Sequence, residues 1–181
     1  MTDADAFEVF VRTYQDMVFA TAVRLLGEPA EAEDVTQQVF LKAFQRFDEI
    51  GPSPAAAGWL KTVAKNACLN HLSRYRSRWR FFSELTRDDD TGAESAYEVS
   101  APAGASPALQ MERTDERERL ELALRALPVH QRVPLVLFHF EGVRYEEIAS
   151  TLGVSLAKVK TDIHRGREAL RHVLDAKHGS R

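Results

Sequence analysis

The chain has 181 residues, 24 Lys and Arg against 27 Asp and Glu, and a formal net charge of −3. Its one cysteine, Cys68, excludes an internal disulfide and argues against a cysteine-built metal centre. No apolar run approaches the roughly 20 residues needed to cross a bilayer, and the acidic start MTDADAFEVF lacks a secretory signal's basic residues, so a soluble cytoplasmic protein is expected.

Phe7, Phe10, Val11, Tyr14, Met17, Val18, Ala22 and Leu25 recur at helical spacing, and Gly27 and Pro29 end that first helix. A second helix is expected over 31–47, with Val35, Val39, Phe40, Ala43 and Phe44 inward. Glu31, Glu33 and Asp34 in its first turn suit the positive end of the helix dipole. GPSPAAAG (51–58) breaks the pattern. A third helix runs from Trp59 to about Arg76 and buries Leu60, Val63, Ala64, Ala67 and Leu72, with Cys68 as a small core residue. Residues 86–108 are acidic, small and rich in Gly, Pro and Ser, without a period; they read as a flexible linker, because an unstructured loop of this length is uncommon inside a compact domain. Helices follow over Glu116–Leu127, stopped by Pro128, and over 129–141 despite Pro134. No strand alternation and no internal repeat is visible. The fold class is therefore all-α: two small helical domains, 1–83 and 112–181, joined by an acidic linker, 84–111.

Residues 144–172, RYEEIASTLGVSLAKVKTDIHRGREALRH, carry a helix-turn-helix pattern. Ile148, Ala149 and Leu152 share one face of the first helix. Gly153 supplies the turn, where a positive φ is cheap. Ser155 can N-cap the second helix, whose apolar face is Val159, Ile163 and Leu170. Such a second helix enters the DNA major groove.

The charge distribution supports that reading. Residues 1–57 carry net −6, residues 58–83 net +6 with no acidic side chain, residues 84–121 net −7, and residues 155–181 net +4. Two basic blocks separated by an acidic one point to two polyanion contacts. In the first block, Lys61, Lys65, Asn66, Asn70, His71 and Arg74 face outward, followed by Arg76, Arg78, Trp79 and Arg80. Lys and Arg neutralise phosphates, while amides, His and aromatics bond to or stack on unpaired bases, so this helix suits opened DNA better than duplex.

Taken together, LLGEPAEAEDVTQQVFLKAF (25–44), GWLKTVAKNACLNHLSR (58–74) and the stretch ALRALPVHQRVPLVLFHFEGVRYEEIASTLGVSLAKVKTDIHRGREALR resemble a bacterial RNA polymerase sigma factor of the extracytoplasmic-function (ECF) group of the sigma-70 family. The resemblance covers about 7–82 and 112–175. It implies a protein that binds core RNA polymerase and directs promoter recognition, strand opening and transcription initiation. The first domain would be region two and the second region four. Asp34, Gln37, Gln38 and Phe40 fall where the family contacts the β′ clamp helices, and the β flap is the second domain's expected partner on polymerase. Lys61, Lys65, Asn66, Asn70, His71, Arg74, Arg76 and Arg78 fall where it opens and reads the minus-ten element. Lys160, Thr161, His164 and Arg165 would face bases of the minus-thirty-five element, with Lys158, Arg167, Arg171, Arg144 and Tyr145 nearer the DNA backbone. Gln38 stands where the family more often has Glu, Asn70 where Asp is common, Ser73 and Asp162 where Arg is common, and Ala157-Lys158 replaces a Gly-Thr pair. Target sequence therefore does not carry over from relatives. An anti-sigma factor is a further implied partner, without membrane insertion of the chain itself.

Two other classes compete. The six histidines and the carboxylates form no HExxH, phosphate loop or Cys/His ligand set, so no catalytic residue, metal or cofactor is expected. A stand-alone dimeric helix-turn-helix regulator would use residues 112–181 but has no need of the basic helix at 59–82.

Overall fold

A computed structural model describes residues 3–73 and 107–175, and every element among them is helical. The elements are α1 (Asp3–Leu26), α2 (Pro29–Gln45), α3 (Phe47–Ile50), α4 (Ala56–Ser73), α5 (Pro107–Ala126), α6 (Val129–His139), α7 (Tyr145–Leu152) and α8 (Leu156–Asp175).

In the first half α1, α2 and α4 pack on one another. Ala56, Leu60, Ala64, Cys68 and Leu72 of α4 are buried at every fourth position, so this stripe follows one helix face. Its small residues bring α4 close to α1 and α2. Gly27, at φ +80°, ends α1 by donating its N–H to the Val23 carbonyl at 2.8 Å. Pro29 then opens α2, where a missing N–H costs nothing.

In the second half α6 is central, and Arg132 to Leu137 are all buried. It packs against α8 and α7 on one side and α1 on the other. Pro134 sits inside it, close enough to its start to be tolerated. At Gly153 the chain turns at φ +67°, and α8 begins as expected, with the Lys158 N–H donating to Ser155 Oγ at 3.2 Å.

The two halves share one continuous core, running from Phe10, Val18 and Leu25 to Leu124, Val133, Ile148 and Ile163. Each half is small, and burying α1 against α5 and α6 enlarges the core available to both.

Several boundaries differ from the sequence reading. Helix α2 starts at Pro29, α4 at Ala56, and α5 at Pro107, taking in residues assigned to the linker. The single turn α3 is too short for periodicity to reveal. Phe44, expected inward, is 59 % exposed, touching only the rim of the core through an edge contact with Phe7 at 4.9 Å. Trp59 is half-buried against the core. The remaining linker, 84–106, lies outside the described residues.

Candidate nucleic-acid interface

Helix α8 is anchored by its inward face. Val159, Ile163 and Gly166 are buried, and a Cβ at Gly166 would stand 2.8 Å from Leu135 Cδ1, so the helix lies tightly on α6. The opposite face carries Lys160, Thr161, His164 and Arg171, all exposed, with Arg165 half-buried beside them. These donors and cations share an open convex surface, the arrangement needed to reach base edges in a major groove.

Asp162, Lys158 and Arg167 of α8 are engaged on its partly buried side, and the exposed Arg171 pairs with Glu168 at 2.7 Å. Asp162 is only 4 % exposed, and both its oxygens accept from Lys158 Nζ, at 3.1 and 2.9 Å. Burial pushes its carboxyl above the usual range, with the Lys158 hydrogen bond opposing the rise. Asp162, standing where the family more often has Arg, thus turns inward: one turn from Lys158 on the buried side of α8, its carboxylate neutralises that ammonium. Lys158 is half-buried by the same contact. Arg167 donates through Nε to His139 Nε2 at 3.0 Å, lies 3.4 Å from the Tyr145 hydroxyl, and stands 5.8 Å over the Phe138 ring. Burial first, then the Arg167 charge, holds His139 below the ordinary histidine pKa, which keeps Nε2 an acceptor. Tyr145 packs against Phe138, ring centroids 4.5 Å apart and tilted by 35°, and is half-buried, whereas Arg144 is exposed at the head of α7.

Helix α4 presents the second face. Asn66 and Asn70 are exposed and Lys65 is half-buried. Lys61 Nζ lies 4.0 Å from Glu141 Oε2, whose side chain is 6 % exposed. His71 turns toward α2, its Nε2 3.5 Å from Glu31 Oε2, and stands apart from the outward amides. Asn66, Asn70 and Ser73 border a cleft of about 540 Å³ closed on its far side by Thr151 and Leu152 of α7. Arg74, Arg76 and Arg78, with Trp79 and Arg80, lie outside the described residues.

On α2, Asp34, Gln37 and Gln38 are exposed together. Phe40, grouped with them from the sequence, is 8 % exposed and belongs to the core; Leu41 at 65 % and Phe44 at 59 % stand out instead. The surface is thus an acid-and-amide patch flanked by apolar side chains. The signal was in the spacing, since Leu41 lies one turn and Phe44 two turns beyond Gln37 on the same helix face.

Arg132 was given no role by the sequence reading. It is 4 % exposed, and burial lowers its pKa with Glu28 and Glu31 opposing. Its guanidinium donates to the carbonyls of Leu26 and Leu127, each at 2.8 Å, and lies 3.4 Å from those of Leu25 and Arg125. The visible clue was a cation inside VHQRVPLVLF with no acidic residue within a turn. Cys68 is buried, and desolvation, reinforced by the Glu141 charge, pushes its thiol up to about 12. Among the described residues, no group of three or more His, Cys, Asp and Glu gathers to hold a metal ion.

Comparison with known proteins gives two family matches in succession: Sigma-70 region 2 over residues 10–79 and Sigma-70, region 4 over residues 117–170. The RNA polymerase sigma-H factor of Pseudomonas aeruginosa is 31 % identical over 168 residues, covering 93 % of this chain and 86 % of that protein. The ECF RNA polymerase sigma factor SigW of Bacillus subtilis is 29 % identical, covering 95 % and 90 %. The ECF RNA polymerase sigma factor SigE of Mycolicibacterium smegmatis is 35 % identical over 97 % of this chain, which spans 63 % of that relative's length.

Proposed function

The chain belongs to the extracytoplasmic-function group of the sigma-70 family, and from that premise we propose that it docks on core RNA polymerase and directs initiation at promoters selected by its two DNA-reading helices. The observation that carries this is the pairing, in one chain, of both sigma regions with two separate outward faces, one of cations and amides on α4 and one of cations, hydroxyl and imidazole on α8. A regulator that binds duplex DNA alone needs one such face.

The first half docks through α2. Asp34, Gln37 and Gln38 offer a carboxylate and two amides, and Leu41 and Phe44 flank them with apolar surface. A coiled coil with basic and apolar side chains, such as the β′ clamp helices, complements this patch; charge speeds the encounter and apolar burial holds the complex. The second half, with the β flap as its expected partner, reads the minus-thirty-five element through Lys160, Thr161, His164 and Arg165. Arg144 and Arg171 suit phosphates. Lys158 and Arg167 contribute mainly by fixing the helix, because their charged ends are paired with Asp162 and with His139 and Tyr145. Downstream, Lys65, Asn66 and Asn70 face the opened strand, with Arg74, Arg76 and Arg78 following in sequence. The polymerase performs the chemistry and this chain supplies no catalytic group. An anti-sigma factor is the natural regulatory partner, covering one or both DNA-reading faces. No helix among the described residues is long and apolar enough to cross a membrane, and the chain works in the cytoplasm, where polymerase is.

Permanganate reactivity tests the reading. With core polymerase and a responsive promoter, thymines around the minus-ten element become reactive only when the chain is added. Asn66→Ala with Asn70→Ala lowers that reactivity more than it lowers duplex binding. Reactivity at wild-type level in the double variant removes these residues from the strand-opening role.

A further inference from the structure

Two cations of α8 have a carboxylate beside them, Lys158 with Asp162 and Arg171 with Glu168. Arg167 differs. Its partners are an imidazole and a phenol, and among the described residues no carboxylate pairs with it. Its Nε donates to His139 Nε2 at 3.0 Å, so that imidazole is neutral and carries its proton on Nδ1. The Phe138 ring lies 5.8 Å from the guanidinium Cζ, and Tyr145 packs beside that ring.

The group borders the face proposed to read duplex DNA. Lys160, His164, Arg167 and Arg171 recur one helical turn apart and share a stripe of α8. Arg144, next to Tyr145, is exposed at the head of α7, and the first helix of a helix-turn-helix crosses the DNA backbone. His139 is itself exposed and ends α6. A helix C-terminus favours a cation there, while partial burial and then the Arg167 charge oppose one. The groups around it are Arg167 of α8 and the Tyr145 hydroxyl of α7. The nearest acids on adjoining elements are engaged elsewhere, Glu121 of α5 with Arg24 of α1 and Glu141 with Lys61 of α4. Protonation of His139 changes the balance. An imidazolium has no lone pair to accept from Arg167, so the bond is lost and two cations stand side by side. With no carboxylate paired to either, an anion from outside is what neutralises them.

We propose that His139 and Arg167 form a proton-linked clamp for one phosphate of the DNA backbone. With His139 neutral, Arg167 is held against α6 and α7 and only fixes the helix. With His139 protonated, both side chains donate to the same phosphate, and duplex binding takes up a proton. The clamp acts whatever the base sequence, because phosphate contacts carry none. It rests on the reading that the second half meets duplex DNA.

Nuclear magnetic resonance of the full-length chain reads the His139 ring directly. The probe is a mixed-sequence duplex of roughly 20 base pairs at low salt, where phosphate contacts dominate binding. His139→Gln identifies the ring signal by its loss and keeps a neutral acceptor for Arg167. Adding duplex moves the His139 titration midpoint to higher pH in the wild-type chain. From about pH 7.5 to 5.5, duplex affinity rises about tenfold more in wild type than in His139→Gln. At the lower pH the wild-type slope of log affinity against log salt is steeper by about 0.9. His164 is common to both chains and cancels in the comparison. A His139 midpoint that duplex leaves unmoved, or an equal acid gain in both chains, overturns the proposal. A chain that binds no duplex at any pH overturns the DNA reading itself, and the clamp with it.

Discussion

The two helices proposed to meet DNA, α4 and α8, are both basic but hold their charges differently. Helix α8 is braced from within its own half: Lys158 by Asp162, Arg167 by His139 and Tyr145, and Arg171 by Glu168 at 2.7 Å. Helix α4 leans on other elements, Lys61 on Glu141 across the domain contact and His71 on Glu31. The difference teaches that the surface proposed to read duplex is braced within one half, while Lys61 of the surface proposed to capture the opened strand depends on where the other half sits.

The largest effect comes from removing the anchors beneath each helix. Ile163→Ala under α8 and Leu60→Ala under α4 each delete a fully buried side chain and are expected to cost about 2–5 kcal/mol. If the halves share one core, both variants unfold in a single urea transition; two separate transitions break the comparison at its root.

Next comes the reading face itself. Arg165→Ala weakens binding to the preferred minus-thirty-five sequence by about 1–3 kcal/mol if the guanidinium grips one base through two bonds, and relaxes preference at that position. Binding to single-base variants of the site is the measurement, and an unchanged preference moves Arg165 to the backbone-contact group.

A smaller effect isolates the internal bracing. Asp162→Asn frees Lys158 for phosphate, so the slope of log affinity against log salt steepens by about 0.9 for duplex DNA. The same slope as wild type would mean that Lys158 already reaches DNA despite its carboxylate partner.

The smallest effect is a pH dependence. His139 and His130 are both held below the ordinary histidine value, chiefly by burial. The unfolded chain thus takes up protons first as pH falls below about 6.5, and stability, full above that value, declines toward the lower folded pKa. Asp162, raised by burial, acts in the opposite sense at lower pH. Urea midpoints between pH 7.5 and 5.5 should drop in wild type and drop less in His139→Gln, which keeps a neutral acceptor for Arg167.

Much of this was legible in the sequence. The period of α1, α2 and α4 follows from apolar spacing alone, and the turn at Gly153 from glycine's freedom at positive φ. Residues whose direction depends on a second element were not legible. Phe40 and Phe44 are one turn apart on α2, yet one is core and one is surface, because α1 and α4 cover only part of that helix. Asp162 turns inward because Lys158, four residues earlier, compensates its charge. Arg132 is buried because the ends of α1 and α5 converge on it, a tertiary meeting that local pattern does not encode. Position in a family motif named candidate residues on α2, α4 and α8, and packing decided the direction of each side chain.

The central claim is that two positive faces of one chain are carried to a promoter by polymerase. Run-off transcription from a genomic library, using core polymerase with and without the purified chain, tests it most directly. The account predicts new, discrete start sites that share two upstream sequence elements and vanish when the chain is omitted. Transcripts identical with and without the chain would contradict it.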